Sequence, residues 1–380
     1  MTILIAPDSF KHSLTALEAA TVMEKAVKSV LPKAQVILHP LADGGEGTVE
    51  AVIRAAGGKI VEVRAHDPLM RPLKTSFGFL PKKKVAIIEM AAASGIELLR
   101  PEERNPLRTS TYGTGELVRA ALDLNVREII IGVGGSATVD GGMGAIQALG
   151  GRFTDAGGNE LTPEGRELSR LARIDLSTLD RRLKKVTIRV ACDVENPLTG
   201  TEGAARVYGP QKGATPGMVE ILEKNLQHFA EVLKRDSGQD IRDLPCSGAA
   251  GGLGGGLMGM LDAKAEGGFQ IIRKLTGLDV LLGKADLVLT GEGKMDDQDF
   301  FGKAPFALAK LAKKRHIPVI AFTGSFETEK PDKWADYFTG IFPVVSSPIS
   351  LDEALKRARE NLYRTVKEVI RVYTTSVTNR

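Results

Sequence analysis

The chain has 380 residues, of which 43% are hydrophobic and 26% charged, and a formal net charge of +4, as expected for a soluble globular protein of about two domains. Aromatic residues make up 5% and glycine reaches 42 residues, which favours tight loops around small ligands over base stacking with nucleic acid. The basic runs 82–84 and 313–315 are too short for a nucleic-acid-binding stripe. No apolar run approaches the ~20 residues of a membrane span.

The two cysteines, Cys192 and Cys246, are too few for a disulfide framework and belong to no CxxC motif. This usage favours a reducing cytosol. The N-terminus enters a strand-like run at once and lacks the basic and apolar regions of a signal peptide. A cytoplasmic protein is therefore predicted.

The first part of the chain predicts two strand–loop–helix units. Ile3–Ile5 is an apolar run, Thr15 and Glu18 form a candidate capping box, and apolar residues then recur at helical spacing up to Pro32. Residues 35–57 repeat the plan with an acidic glycine loop before the helix. Two such units in tandem predict a parallel sheet covered by helices.

From residue 58 onward the pattern changes. Short apolar runs separated by proline and glycine predict strands joined by turns, partly antiparallel, with further strands near 128–131 and 186–191. After residue 268 strands and helices alternate again. Residues 285–298 predict a strand and then a loop, and residues 351–372 predict one long helix.

We therefore predict an α/β protein with two domains. Residues 1–65 and 269–380 would form a Rossmann-like open parallel-sheet domain from both chain ends, and residues 66–268 an inserted α+β domain with a mixed sheet. A cleft between the two domains would be the expected ligand site.

Three predicted strand ends carry acidic loops, which contain Asp8 and Lys11, Asp43 and Glu46, and Glu292 to Gln298. In an open α/β sheet such loops meet at one edge. Carboxylates there can hold Mg²⁺, and a lysine can neutralise phosphate charge. Any one of the loops could merely cap a helix N-terminus, but their shared composition favours a site.

Glycine is concentrated in three segments, 109–117, 133–151 and 246–260. Without a Cβ, backbone N–H groups can approach an anion closely, and a following helix directs its positive end there. Ser136 and Thr138 add hydroxyl donors. These segments predict a polyphosphate cradle, although glycines in tight turns and close packing would give the same pattern.

Other motifs leave two further classes of protein open. No Walker GxxxxGK[ST] sequence is present, whereas GxGxxG occurs at Gly254 and a GxGxxA variant at Gly132. These matches keep an NAD(P)-dependent oxidoreductase of small hydroxy acids as an alternative, and a non-catalytic nucleotide-binding protein is the other. Asp193 follows a predicted strand, and Lys212 in a Gly-Pro turn is either a ligand contact or a surface lysine.

Ten motifs in order carry a resemblance that covers nearly the whole chain: APDSFKHSL, LADGGEGT, AAASGIELL, TSTYGTGEL, GGSATVDGGMG, CDVENPLTG, GPQKGA, GAAGGLGGG, DLVLTGEGKMDDQ and GKAP. The chain resembles the bacterial glycerate kinases of type I. The resemblance implies ATP-dependent phosphorylation of D-glycerate at the 2-hydroxyl, which gives 2-phosphoglycerate and ADP. It also implies ATP and Mg²⁺ as cofactors, no nucleic-acid or membrane partner, and a monomer or homodimer.

The resemblance also suggests roles for individual residues. Asp8, Lys11, Asp43 and Asp193 are the expected catalytic residues, Asp296 and Asp43 the metal ligands, and Arg71 and Ser94 the contacts to the glycerate carboxylate. Nucleotide and phosphate binding is expected at Gly134, Gly135, Ser136, Thr138, Gly251, Gly252, Gly254, Gly291 and Gly293. The chain departs from the usual pattern at Val139, where Asn is common, and at Asp299, where Thr is common.

Overall fold

The computed structural model describes residues 1–42, 44–297, 300 and 303–378. The chain forms two compact units. Unit 1 consists of Met1–Asp43, Arg54–Ala56 and Phe269–Arg380, and unit 2 of Gly44–Ile53 and Gly57–Gly268. Both contain sheets and helices, so the predicted α/β class is confirmed.

The strands in chain order are β1 (Thr2–Ile5), β2 (Gln35–Leu38), β3 (Lys59–His66), β4 (Pro72–Leu80), β5 (Val85–Glu89), β6 (Glu128–Gly132), β7 (Arg152–Thr154), β8 (Arg173–Asp175), β9 (Thr187–Ala191), β10 (Lys264–Glu266), β11 (Leu287–Asp296), β12 (Val319–Glu327) and β13 (Gly340–Pro343). The α-helices are α1 (Ala16–Val30), α2 (Thr48–Ala56), α3 (Ala91–Ser94), α4 (Tyr112–Leu122), α5 (Met143–Ala148), α6 (Ala204–Tyr208), α7 (Pro216–Ser237), α8 (Leu253–Leu261), α9 (Gly268–Thr276), α10 (Leu278–Leu282), α11 (Ala304–Lys313), α12 (Pro331–Ala335), α13 (Leu351–Lys356) and α14 (Ala358–Thr378).

Unit 1 contains a parallel sheet in the order β13-β12-β11-β1-β2. Successive side chains of β1 point to opposite faces. Ile3 and Ile5 lie in a core cluster with residues of α1 and α14, whereas Leu4 lies in a second cluster with residues of α11. The sheet is therefore buried on both faces, which explains the continuous apolar sequence of its central strands.

The start of α1 follows the predicted capping box. Thr15 Oγ1 accepts from Glu18 N at 3.1 Å, and Glu18 Oε2 accepts from Thr15 N at 3.0 Å. Both bonds satisfy N–H groups that the first helical turn cannot pair internally.

Unit 2 contains a mixed sheet in the order β10-β9-β6-β5-β4-β3. The pairs β3–β4 and β4–β5 are antiparallel, and β5, β6, β9 and β10 run parallel. The predicted antiparallel strands are therefore confirmed. The domain boundary was expected between residues 65 and 66, but β3 pairs with β4 from Lys59 onward, so this sheet begins earlier in the chain.

Two elements differ from their predicted extents. Residues 291–296 were expected to form a loop, but β11 continues to Asp296 because it pairs with β12 as far as Glu327 and buries Met295 completely. The C-terminal segment was expected to be one helix, but it is divided at Arg357 into α13 and α14.

Cys192 and Cys246 are free thiols and are buried. Among the helices of the described residues, none combines the length and the apolar character that a membrane span requires.

The capping box gives a stability prediction. Thr15→Ala should lower the free energy of unfolding by about 1 kcal/mol, because an N–H group in the first turn of α1 loses its partner. Thr21→Ala is the matched control, since the Thr21 hydroxyl bonds to Leu17 O inside the same helix and alanine is the better helix former there. Urea unfolding of both variants checks this, and equal losses would contradict the capping account.

Candidate active site

The loops after β1 and β2 lie beside the end of β11. Asp8 N donates to Gly291 O at 2.8 Å, and Leu41 N donates to Pro7 O at 2.8 Å. Asp8 is half-buried. These bonds bring three neighbouring strand ends together at the carboxyl edge of the unit 1 sheet, where ligands bind in open α/β folds.

Close backbone packing requires glycine at position 291 and leaves little room for a side chain at position 293. A Cβ on Gly291 would lie 1.9 Å from Phe322 O, and one on Gly293 would lie 3.1 Å from Lys11 N. Gly293 N also donates to Ser9 O at 3.4 Å. The backbone of Lys11 is thereby fixed against β11, while its side chain is exposed.

Asp296, the predicted metal ligand, is half-buried at the end of β11. Lys294 Nζ lies 3.5 Å from Asp296 Oδ2 and 3.0 Å from Glu327 Oε2. The hydrogen bond to Glu327 is the main cause that raises the pKa of Lys294. Asp43, predicted both as a catalytic residue and as a metal ligand, and Asp299 lie outside the described residues.

In unit 2, three loops meet where β6 and β9 end. The two strands pair in parallel with Gly132 opposite Ala191. A Cβ on Gly132 would lie 2.1 Å from Gly44 O, and one on Gly44 would lie 2.8 Å from the Ala191 Cβ. The glycine loop that follows residue 43 therefore packs directly on these strand ends. Residues 134–138, here called the glycine segment, continue from β6.

The glycine segment is held by residues 94–96. Ala137 N donates to Ser94 O at 2.9 Å, and Ile96 N donates to Gly135 O at 2.9 Å. Ser94 is fully buried, and its hydroxyl lies 2.8 Å from Thr114 Oγ1. In the structure Ser94 therefore supports the segment through its backbone, and its buried hydroxyl already shares one hydrogen bond with Thr114.

The predicted glycine-rich segment 246–260 packs against the predicted segment 133–151. Gly251 and Gly252 have φ values of 68° and 94°, which favour glycine. A Cβ on Gly251 would lie 1.9 Å from Thr138 O, and one on Gly254 would lie 2.3 Å from Cys246 O. Tight turns and close packing thus account for these glycines, and phosphate binding by them stays a prediction.

Neither match to the dinucleotide fingerprint has the required structure. The fingerprint needs a strand, a tight turn and then a helix that starts at the glycines. Gly254, Gly256 and Gly259 lie inside α8. Gly132 ends strand β6 and Gly134 follows it, but the next helix starts only at Met143. The sequence matches therefore give no structural support to the oxidoreductase alternative.

Asp193 is exposed two residues after β9. Its Oδ1 accepts from Gly268 N at 3.0 Å. Because β6 and β9 are adjacent and parallel, Asp193 and the glycine segment follow neighbouring strand ends of one sheet.

Arg71 has acidic partners within the protein. Its Nε donates to Asp67 Oδ2 at 2.5 Å and its Nη1 to Glu103 Oε1 at 2.8 Å. The hydrogen bond to Asp67 is the main cause that raises the pKa of Arg71. A glycerate carboxylate would have to compete with these two carboxylates for the guanidinium group.

Asp140 was not identified from the sequence, yet it organises the polar core of unit 2. It is fully buried, and its Oδ2 accepts from Thr111 N and Thr111 Oγ1, each at 2.8 Å, and from Gly144 N at 3.3 Å. Its Oδ1 accepts from Gly142 N at 3.1 Å. Burial raises the pKa of the Asp140 carboxyl, whereas these bonds lower it. Because every partner is a donor, the contacts fit the ionised form.

Lys212 is the second buried charge of this core. It is 2% exposed, and its Nζ donates to Thr138 O at 2.8 Å. Burial lowers its pKa to about 7, while the negative charge of Asp140 acts in the opposite direction. Of the two interpretations of Lys212, the surface lysine is therefore wrong.

Val139, where Asn is common in the resembling kinases, is fully buried. It lies in an apolar cluster with Met143, Ile146 and Phe229. An apolar side chain fits this position, so the departure from the pattern adds a packing contact to the core below the glycine segment.

Within the part of the chain that the structure describes, no group of three or more His, Cys, Asp or Glu side chains is arranged to hold a metal ion. The chemical resources are instead carboxylates at strand ends, an exposed lysine and glycine backbone fixed by buried polar groups. Such a set suits a reaction that needs charge neutralisation and positioning more than a covalent nucleophile.

Comparisons with known proteins agree over the whole chain. A model of the "Glycerate kinase family" matches residues 3–374. The chain is 47% identical to the glycerate kinase of Bacillus subtilis (strain 168) and covers 97% of it, and 97% of this chain is matched. It is 46% identical to the glycerate 2-kinase of Escherichia coli (strain K12), again with 97% of each chain covered. A crystal structure of a protein from Salmonella typhimurium LT2 with the provisional name glycerate kinase 2 has a TM-score of 0.89, is 46% identical, and covers 100% of this chain and 99% of its own.

The buried Lys212 gives a prediction for the pH dependence of stability. Its pKa is about 7 in the folded protein against an ordinary value of 10.5. Below pH 7 both states carry the proton and the burial penalty is fully present. Between about pH 7 and pH 10 the unfolded state binds more protons, so the free energy of unfolding should rise by up to ~1.4 kcal/mol per pH unit from this group.

Lys212→Met should remove that part of the slope. Lys184→Met, at an exposed lysine of the same unit, should retain it. Denaturant unfolding at several pH values from 7 to 10 measures the difference. The same slope in wild type and in Lys212→Met would contradict the lowered pKa.

Proposed function

The chain belongs to the glycerate kinase family, and we propose that it transfers the γ-phosphoryl group of ATP to the 2-hydroxyl of D-glycerate, giving 2-phosphoglycerate and ADP. The observation that carries this proposal is the 46% identity to the glycerate 2-kinase of Escherichia coli, which extends over 97% of both chains. We further propose the cytoplasm as its location and small molecules as its partners. Two domains, residues 1–65 with 269–380 and residues 66–268, are kept as the proposed organisation, and the pairing of β3 with β4 from Lys59 argues for an earlier start of the second domain.

The proposed nucleotide site uses backbone more than side chains. Backbone N–H groups of the glycine segment and of residues 251–254 are the proposed phosphate contacts of unit 2, and those of Gly291 and Gly293, within β11, are the proposed contacts of unit 1. Lys11, whose backbone is fixed beside Gly293, would neutralise charge on the transferred group. Phosphoryl transfer gains most of its rate from such positioning and charge stabilisation.

Asp296 fits the donor set of a magnesium ion. In nucleotide sites Mg²⁺ is usually held by one or two carboxylates together with phosphate oxygens and waters. Asp296 is half-buried, and one of its contacts, at 3.5 Å, is with an exposed lysine that lies closer to Glu327. Asp43, outside the described residues, is the second proposed ligand. When bound, the ion would neutralise charge on the phosphates.

Asp193 or Asp8 is the proposed general base for the glycerate hydroxyl. Asp193 has the more exposed carboxylate and follows the strand next to the one that leads into the glycine segment. It would accept the proton as the hydroxyl oxygen attacks phosphorus. Arg71 and Ser94 are kept as the proposed carboxylate contacts, with the competing bonds to Asp67, Glu103 and Thr114 described above.

The activity is tested with purified protein, ATP, Mg²⁺ and D-glycerate. We expect ADP release that depends on D-glycerate, and ³¹P and ¹H NMR should identify 2-phosphoglycerate as the product. ATP binding without glycerate-dependent ADP release would indicate a non-catalytic nucleotide-binding protein. Oxidation of NADH with small keto acids would instead support the oxidoreductase.

The base assignment is tested with Asp193→Asn. We expect kcat to fall by about 10²- to 10⁴-fold, the usual contribution of a general base, while the Kd for ATP stays within about twofold of wild type. Glu195→Gln, at the neighbouring exposed carboxylate, is the matched control and should keep its kcat. Unchanged turnover in Asp193→Asn would exclude Asp193 and leave Asp8 as the candidate.

A further inference from the structure

Burial of Lys212 costs desolvation free energy that its contacts with the described residues do not offset. The residue is 2% exposed, and among the described residues its ammonium group donates to one neutral carbonyl, Thr138 O, at 2.8 Å. An ammonium carries three donors, and a single bond to a carbonyl replaces little of the hydration lost on burial. An apolar side chain of similar length would make a more stable core. A requirement other than stability therefore accounts for a lysine here.

The Thr138 carbonyl that Lys212 holds lies where the glycine segment packs against Gly251. Thr138 ends the glycine segment, and its oxygen is also the atom that a Cβ on Gly251 would approach to 1.9 Å. Close by, Gly141 N donates to Gly251 O at 3.1 Å. Lys212 therefore acts at the point where the two glycine runs touch. Because the peptide unit is planar, holding its oxygen fixes the orientation of the whole plane between Thr138 and Val139.

The buried carboxylate of Asp140 favours the charged form of Lys212. Asp140, two residues after Thr138, is the ionisable group whose charge acts on Lys212, and it is itself fully buried. Its four hydrogen bonds tie it to Thr111, Gly142 and Gly144. The carboxylate thus fixes the chain after the glycine segment, and the ammonium fixes the last carbonyl of the segment.

The Thr138 hydroxyl, unlike the Thr138 carbonyl, is not held by a hydrogen bond among the described residues. Thr138 is fully buried, and its Oγ1 makes no hydrogen bond among the described residues. The backbone oxygen of the residue is therefore the group that is held. A role for Lys212 in orienting the Thr138 peptide group accounts for this pattern.

We propose that Lys212 is a positioning residue for nucleotide binding, whose buried ammonium holds the Thr138 carbonyl so that the glycine segment keeps the backbone conformation that receives phosphate. This inference rests on the proposed function, in which that segment binds the phosphates of ATP. Lys212 itself acts through the backbone and does not touch the substrate. The consequence is a selective effect on the nucleotide, with little effect on the binding of glycerate.

The test uses Lys212→Met, with Lys184→Met as the matched control at an exposed lysine of the same unit. Melting temperature is measured first, followed by titration calorimetry with a non-hydrolysable ATP analogue and steady-state kinetics. We expect Lys212→Met to remain folded at pH 7, to weaken the Kd for the analogue about tenfold or more, and to raise the KM for ATP in parallel. The KM for D-glycerate should change less than twofold, and Lys184→Met should behave as wild type.

Wild-type nucleotide affinity and KM for ATP in a folded Lys212→Met variant would overturn the proposal. Equal losses in the KM values for ATP and D-glycerate with a lowered melting temperature would also overturn it, since they indicate a general structural role. If Lys212→Met does not fold, Lys212→Gln is judged by the same outcomes. Calorimetry needs no turnover, so a wild-type protein that binds the analogue but does not phosphorylate glycerate would refute the proposed function, and the Kd of Lys212→Met would still decide the role of Lys212.

Discussion

Direct packing of backbone on backbone at the strand ends is the constraint on which the candidate site depends. A Cβ would approach a carbonyl oxygen to 2.1 Å at Gly132 and to 1.9 Å at both Gly251 and Gly291, distances that no side-chain-bearing residue tolerates. The glycines are therefore needed for the fold before any ligand is considered. In the proposed function, the exposed backbone of Gly134 and Gly135 is the part of this packing that phosphate would approach.

In unit 2, two buried charged residues, Asp140 and Lys212, hold the backbone next to this close packing. Asp140 replaces part of the hydration of its carboxylate with four hydrogen bonds from the surrounding chain, which offset some of the burial that raises its pKa. Lys212 has less compensation, as its lowered pKa indicates. Asp140 holds the turn that follows the glycine segment and Lys212 holds the Thr138 carbonyl, and proteins tolerate the instability of such buried charges where function requires it.

Local signals predicted much of the fold. The capping box before α1, the apolar run of β1 and the proline-punctuated strands β3 to β5 depend on neighbours close in sequence, and these features are confirmed. The end of β11 could not be predicted in this way, because Lys294 to Asp296 read as a polar loop and become a strand only through pairing with β12. Features of the candidate site were likewise not predictable from residues close in sequence. Asp140 lies in a glycine run and Lys212 in a turn, and both look like surface residues until distant segments bury them. The acidic partners of Arg71 are likewise visible only in the folded chain.

The central claim is that the glycine segment and residues 251–254 receive the phosphates of the nucleotide. Backbone amide hydrogen exchange, followed by mass spectrometry with and without Mg²⁺ and a non-hydrolysable ATP analogue, tests it most directly. We expect slower exchange at residues 134–138 and 251–254 when the analogue is bound, with little change in the C-terminal helix α14. Unchanged exchange in both glycine runs under saturating analogue, with protection confined to other parts of the chain, would contradict it.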